Sequence, residues 1–201
     1  MKNIITIQHT QSIQHTNGMV GSWTDWELTE LGSNHAESIG VRLSAELKGQ
    51  TYKIYSSDLT RSMQTAAPLA RYLKLPVEYR VELREINLGR AIGKTKQWLR
   101  ENGAPIHSID DRSFPDAESG RDVWNRLSTF RDEIIKSADE NIIIISHSMT
   151  LSVWFGIWHK WDIEMYENCD FNGIAGGVSF FYINSNGKHI ISRLNDLSYI
   201  R

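Results

Sequence analysis

Ile142-Ile143-Ile144-Ile145-Ser146-His147 sets four consecutive β-branched residues directly before two polar ones, the pattern of a strand buried on both faces that ends at a functional edge. Two further runs share that form. Ile4 to Ile7 gives way to Gln8 and His9, and Tyr52 to Tyr55 gives way to Ser57, Asp58 and Arg61. Helical spacing follows these runs, with Leu31, Ile39, Leu43 and Leu47 on one face of a helix and Val123, Leu127, Phe130 and Ile134 on one face of another. Ser119 with Asp122 reads as a capping box opening the latter helix. Strands alternating with helices predict an α/β fold with a largely parallel central sheet, and such sheets present ligands at the carboxyl ends of their strands. The polar residues behind the three runs should therefore converge. Near the C-terminus, Val178 to Ile183 and His189 to Leu194 flank Asn184-Ser185-Asn186-Gly187, which predicts a C-terminal hairpin at the sheet edge.

The 201 residues, 40% hydrophobic and 23% charged, suffice for one substantial core, and the expectation is a single domain over 1–201. The stretch from Lys94 to Glu118 carries two of the four prolines and little sustained periodicity, and reads as a partly helical insertion over the site. Lys and Arg total 22 against 24 Asp and Glu, with no basic stripe, which argues against a nucleic-acid partner. Apolar runs are far shorter than the roughly 20 residues a membrane-spanning helix needs. The single cysteine, Cys169, cannot form an internal disulfide, and the apolar run after Met1-Lys2-Asn3 is too short for a signal sequence, so a reducing cytoplasm is the expected location.

The three strand ends carry residues with a shared chemical logic. A histidine such as His9 can attack a phosphoryl group through one ring nitrogen while a hydrogen bond at the other fixes its tautomer. Arg61, in the first turn of a helix, offers a planar fork for phosphate oxygens beside free helix amides. His147 opens the next helix, where a protonated imidazole would stabilise charge on the transferring group. Glu85, in Leu83-Arg84-Glu85-Ile86-Asn87-Leu88-Gly89, is the candidate acid and base for the leaving oxygen and the attacking water, with a structural ion pair to a neighbouring arginine as the competing reading.

Six segments in order resemble the histidine phosphatase superfamily, also called phosphoglycerate mutase-like, across nearly the whole chain. They are Gln8-His9-Thr10-Gln11-Ser12, Leu28 to Gly32, Ser56 to Thr65, Leu83 to Gly89, Asp116 to Ser119, and Ile145-Ser146-His147-Ser148. The most specific is Ser57-Asp58-Leu59-Thr60-Arg61-Ser62-Met63-Gln64-Thr65. The resemblance implies a three-layer α/β/α sandwich, a phosphohistidine intermediate on His9, phosphate binding by Arg61 and His147, and Glu85 as acid and base. It implies no metal and no organic cofactor. Gln8 stands where the family's first motif has arginine, Thr10 where it has glycine, and Ser148 where a second glycine follows the histidine. A charged hydrogen bond to phosphate is worth roughly 1.5–3 kcal/mol, so Gln8, an amide donor in place of a guanidinium, should leave the pocket weakened but not abolished. The Thr10 hydroxyl is a further donor or an obstruction. Gln8 and Ser148 join the phosphate-binding set, as does His15, because the family often places a polar donor six residues after the nucleophile.

His35, His107, His159 and His189 are assigned no role, and no histidine pair has metal-binding spacing with a carboxylate nearby. Trp154, Trp158 and Trp161 have helical spacing and read as core, and the same reading is slightly favoured for Trp23 and Trp26 over a substrate-lining one. The leading expectation is a cytoplasmic phosphomonoesterase acting on a small phosphorylated metabolite. A phosphoglycerate-mutase-type phosphotransferase is the alternative within the fold, less favoured because little chain follows the hairpin to cover the site. A catalytically weak phosphate-binding or regulatory module is the alternative outside enzymology. A homodimer stays open.

Overall fold

The computed structural model describes residues 2–201. Six strands form one sheet: β1 (Asn3–Gln8), β2 (Lys53–Ser56), β3 (Val77–Tyr79), β4 (Asn141–Ser146), β5 (Val178–Ile183) and β6 (His189–Asp196). Their order across the sheet is β3-β2-β4-β1-β5-β6, with the first four mutually parallel and β5 and β6 antiparallel. The tyrosine-bounded run starts one residue later than its sequence suggests, at Lys53, and the second hairpin strand runs two residues further, to Asp196. Asn184 and Gly187 close the hairpin turn, and Gly187 adopts φ 73°, a conformation that glycine takes at no steric cost.

The side-chain alternation of the strands divides the core between two faces. Ile142 and Ile144 join Ile4 and Tyr55 beneath α4 (Gly120–Lys136) and α5 (Ser148–His159). Ile143 and Ile145 join Ile5, Ile7 and Ile54 beneath α1 (Glu30–Glu46) and α2 (Thr60–Leu73). A three-layer α/β/α arrangement results, and runs buried on both faces explain why β1 and β4 show no polar alternation.

The helices follow the sequence reading with one correction. Leu31 is 49% exposed, and the buried face of α1 is Gly32, Ala36, Ile39, Gly40 and Leu43. Eight positions separate Leu31 from Ile39, which rotates it about 80° off that face. Small residues make the true face: a Cβ at Gly40 would press on Pro68 of α2, so the two helices touch backbone to backbone there. In α4, Val123, Leu127, Phe130 and Ile134 are all buried, and the capping box forms, with Ser119 Oγ accepting from Asp122 N and the Asp122 side chain accepting from Ser119 N. Trp154 and Trp158 are core residues of α5. Trp161 lies beyond the end of that helix, half-buried against Phe171. Within the 94–118 stretch one helix forms, α3 (Lys96–Asn102), tied down by Trp98 stacked on Phe114. Among the described residues no helix is long and apolar enough to cross a membrane.

Candidate active site

Register puts the three chemical strand ends level. Gln8 lies opposite Ser146, and Ser56 opposite Ile145, so β1, β4 and β2 stop side by side and release His9, His147 and Ser57 at one edge. His9 is 3% exposed, and its backbone N–H still donates to Ser146 O at 2.9 Å, continuing the ladder by one residue. Its ring Nδ1 lies 2.8 Å from the carbonyl of Thr10. A carbonyl only accepts, so Nδ1 carries the proton and Nε2 keeps its lone pair, toward which Arg61 Nε donates at 3.3 Å.

Arg61, in the first turn of α2, is 1% exposed. Its Nη1 and Nη2 donate to the carbonyls of Thr24 and Ser22 at 2.8 and 2.7 Å, which leaves two of its five N–H groups uncommitted. Burial draws its pKa down to about 10, partly offset by the charges of Glu85 and Asp25, and the guanidinium remains charged at neutral pH. The first amide of α2 is already taken, because Asp25 accepts from Thr60 N at 2.9 Å. The Arg61 side chain is the charged donor at this helix end.

His147 is the N-cap of α5 and fully buried, with its ring centroid 5.0 Å from that of His9. Its Nε2 meets Ser57 Oγ at 2.8 Å and Ser62 Oγ at 3.3 Å, and its Nδ1 is buried with no protein partner. Burial pushes the pKa of both His9 and His147 well below the usual histidine range, and the Arg61 charge pushes in the same direction. The neutral imidazole is therefore the favoured form at both positions. For His9 the neutral ring is the form with a lone pair to offer; for His147 the same shift means that the imidazolium expected during transfer is favoured once an anion balances Arg61.

Glu85 lines the same pocket as His9 and Arg61. The competing ion-pair reading fails in a specific way: Arg84 pairs with Asp58 at 2.6 Å, while the Glu85 carboxylate accepts from Thr150 N and Thr150 Oγ1, each at 3.2 Å, and from Ile86 N at 3.0 Å. Glu85 thus caps the start of α5, close in space to His147. The backbone around it is held by Trp23 Nε1 donating to Glu85 O at 2.6 Å and by Arg126 Nη1 donating to Glu82 O at 2.6 Å. Trp23 and Trp26 are half-buried and outside the core clusters, contrary to the core reading; Trp23 anchors the Glu85 loop with the Arg84 guanidinium over its ring.

Gln8, His15 and Ser148 also line this cavity of about 430 Å³, as do Lys96 and Arg100 of α3. Gln8 is 4% exposed, and its Oε1 is buried without a protein partner against Gly173, where a Cβ would overlap it. The ring of His15 sits 5.5 Å from that of His9, with Nδ1 accepting from Ser12 N at 2.9 Å. Thr10 points away: its hydroxyl donates to Gly32 O at 2.8 Å and is not a pocket donor. Sequence reasoning overlooks Ser22, whose carbonyl holds Arg61 and whose hydroxyl donates to Ile86 O at 2.6 Å, coupling the arginine to the Glu85 loop. A serine after Gly21 carries no local signal of such a role. Ser57 and Ser62, the partners of His147, are visible inside the most specific motif. Among the described residues no three His, Cys, Asp or Glu side chains are grouped to hold a metal ion.

An α/β sandwich with two buried histidines and an arginine at adjacent parallel strand ends defines the class. The model of the histidine phosphatase superfamily, branch 1, matches residues 4–196, and the chain belongs to that family. It is 29% identical to the 2,3-bisphosphoglycerate-dependent phosphoglycerate mutase of Tropheryma whipplei (strain Twist), over 90% of this chain and 93% of that one. Its fold superposes on a mycobacterial glucosyl-3-phosphoglycerate phosphatase with a TM-score of 0.83 at 20% identity, covering 96% of this chain and 98% of the other. It superposes on the alpha-ribazole phosphatase of Shigella flexneri with a TM-score of 0.82 at 20% identity, covering 97% and 96%.

Proposed function

We propose that the protein is a phosphomonoesterase that hydrolyses a small phosphorylated metabolite through a phosphohistidine on His9. The observation that carries this reading is the fixed tautomer of His9, whose Nε2 lone pair lies under the Arg61 Nε–H in a pocket that also contains Glu85. In the first half-reaction Nε2 bonds to phosphorus, the P–O ester bond breaks, and the leaving alkoxide takes a proton from the Glu85 carboxyl. In the second, Glu85 takes a proton from water, the resulting hydroxide attacks phosphorus, and the P–N bond breaks to return neutral His9 and inorganic phosphate. Arg61 offers its two remaining N–H groups to the equatorial oxygens. His147, whose neutral form burial favours, takes up a proton and donates a hydrogen bond to phosphate as the anion brings in negative charge. Gln8, His15 and Ser148 add neutral donors around the same oxygens.

The test is brief incubation with phosphate-labelled substrate, followed by denaturation in base. Acid-labile label is expected on His9, and His9→Ala should lose both the label and turnover of p-nitrophenyl phosphate. Turnover retained by His9→Ala overturns the assignment. A mutase is the second reading, favoured by the 29% identity to the phosphoglycerate mutase. It predicts conversion of 3-phosphoglycerate to 2-phosphoglycerate faster than phosphate release. A weak phosphate-binding module, the reading that Gln8 favours, predicts phosphate binding without turnover of any ester.

A further inference from the structure

Adjoining the catalytic pocket is a second cavity of about 480 Å³, and the two share Ile86, Leu88 and Met149 as a common wall. Ile106 and Ile109 from the 94–118 stretch line it together with Val123 of α4 and Val153 of α5. Ile106 is 55% exposed at its edge, a large apolar side chain with solvent on one side and the cavity on the other.

Charge separates the two spaces. The catalytic pocket sets three cations, Arg61, Lys96 and Arg100, against the one carboxylate of Glu85. The second cavity is lined by Asp111, Glu118, Glu167 and Asp170, and among the described residues its lining holds no lysine or arginine. Three of these carboxylates are held in place: Asp111 by the amides of His107 and Ser108, Glu118 by Arg126, and Asp170 by the hydroxyl of Ser152. Arg126 balances the charge of Glu118; the carboxylates of Asp111, Glu167 and Asp170 repel a second anionic group, and the isoleucine and valine walls reward apolar surface.

We infer that this cavity receives the alcohol portion of the substrate, and that this portion is predominantly apolar and carries no second anionic group. The inference rests on phosphate occupying the His9 pocket, as proposed above. It makes the preferred substrate a phosphate monoester of a hydrophobic alcohol, and phosphoglycerates, which carry a carboxylate beside the phosphate, poor ones.

The test is calorimetric binding to the full chain of methyl-, butyl- and octylphosphonate, which are not hydrolysed, together with a phosphonate of octyl length ending in a carboxylate. Affinity should rise roughly two- to fourfold for each added methylene that enters the cavity. The terminal carboxylate should weaken binding at least tenfold relative to octyl. Ile106→Glu should remove most of the octyl gain and leave methylphosphonate binding unchanged. Affinity independent of chain length, or tighter binding of the carboxylate-ended compound, overturns the inference even where p-nitrophenyl phosphate is hydrolysed. Length-dependent binding without hydrolysis of any ester sinks the catalytic reading and leaves the cavity assignment standing, whereas no binding by any phosphonate sinks both.

Discussion

Gln8 and His9 are neighbours in the chain with opposite degrees of satisfaction. His9 has both ring nitrogens engaged, whereas Gln8 keeps a buried carbonyl oxygen without a protein partner beside Gly173. The position next to His9 therefore contributes an amide dipole to the pocket, and the buried positive charge comes from Arg61 alone among the described residues. Gln8→Arg adds a charged donor and should tighten inorganic phosphate binding by roughly tenfold or more, measured by titration calorimetry. Unchanged or weaker binding would show a pocket built around glutamine, with Gly173 and Ser148 shaped to that side chain. Residue types and motif spacing are enough to single out His9, Arg61, Glu85 and His147. What they do not reveal is how each is held, because Ser22 and Thr24 lie far in the chain from Arg61, and Thr150 far from Glu85, so that only folding brings these partners together.

At the scale of elements, the strands are legible because unbroken β-branched runs have few alternatives, and α4 because its apolar period and its cap agree. That agreement has a measurable stability. Ser119→Ala removes the side-chain acceptor for Asp122 N and should cost about 1 kcal/mol, lowering Tm by about 2–4 °C for a chain of this size. Thermal melting followed by circular dichroism checks this, and turnover at 25 °C should be unaffected because Ser119 does not line the catalytic pocket. The face of α1 is misleading at Leu31 because hydrophobicity is a poor guide where close helix contact selects glycine and alanine. The start of α5 is also hidden in the sequence. Its amides are capped by Glu85, more than sixty residues earlier, so a mid-chain carboxylate orders the helix that carries His147.

For the whole molecule, the buried site links stability to pH. His9 and His147 have folded-state pKa values well below the ordinary 6.5, so between those values and 6.5 the unfolded chain binds more protons than the native one. Their contribution is fully present above pH 6.5 and falls as pH drops through that window, by up to about 1.4 kcal/mol per pH unit for each histidine. Melting between pH 8 and 5 should show this loss, and His147→Gln should show a shallower slope. Inorganic phosphate at saturating concentration should also flatten it, because a bound anion raises both histidine pKa values; an identical slope with and without phosphate would place the titrating groups elsewhere. The sequence alone determines the layered α/β class, the strand ends that carry chemistry and the family, because hydrophobic period and motif spacing are local and survive in one dimension. Only the tertiary structure decides that Thr10 turns inward to Gly32, that burial lowers the pKa of His147, and that a largely apolar cavity with carboxylates in its lining adjoins the His9 pocket. Those properties come from burial and from charges contributed by distant segments, and neither exists until the chain has folded.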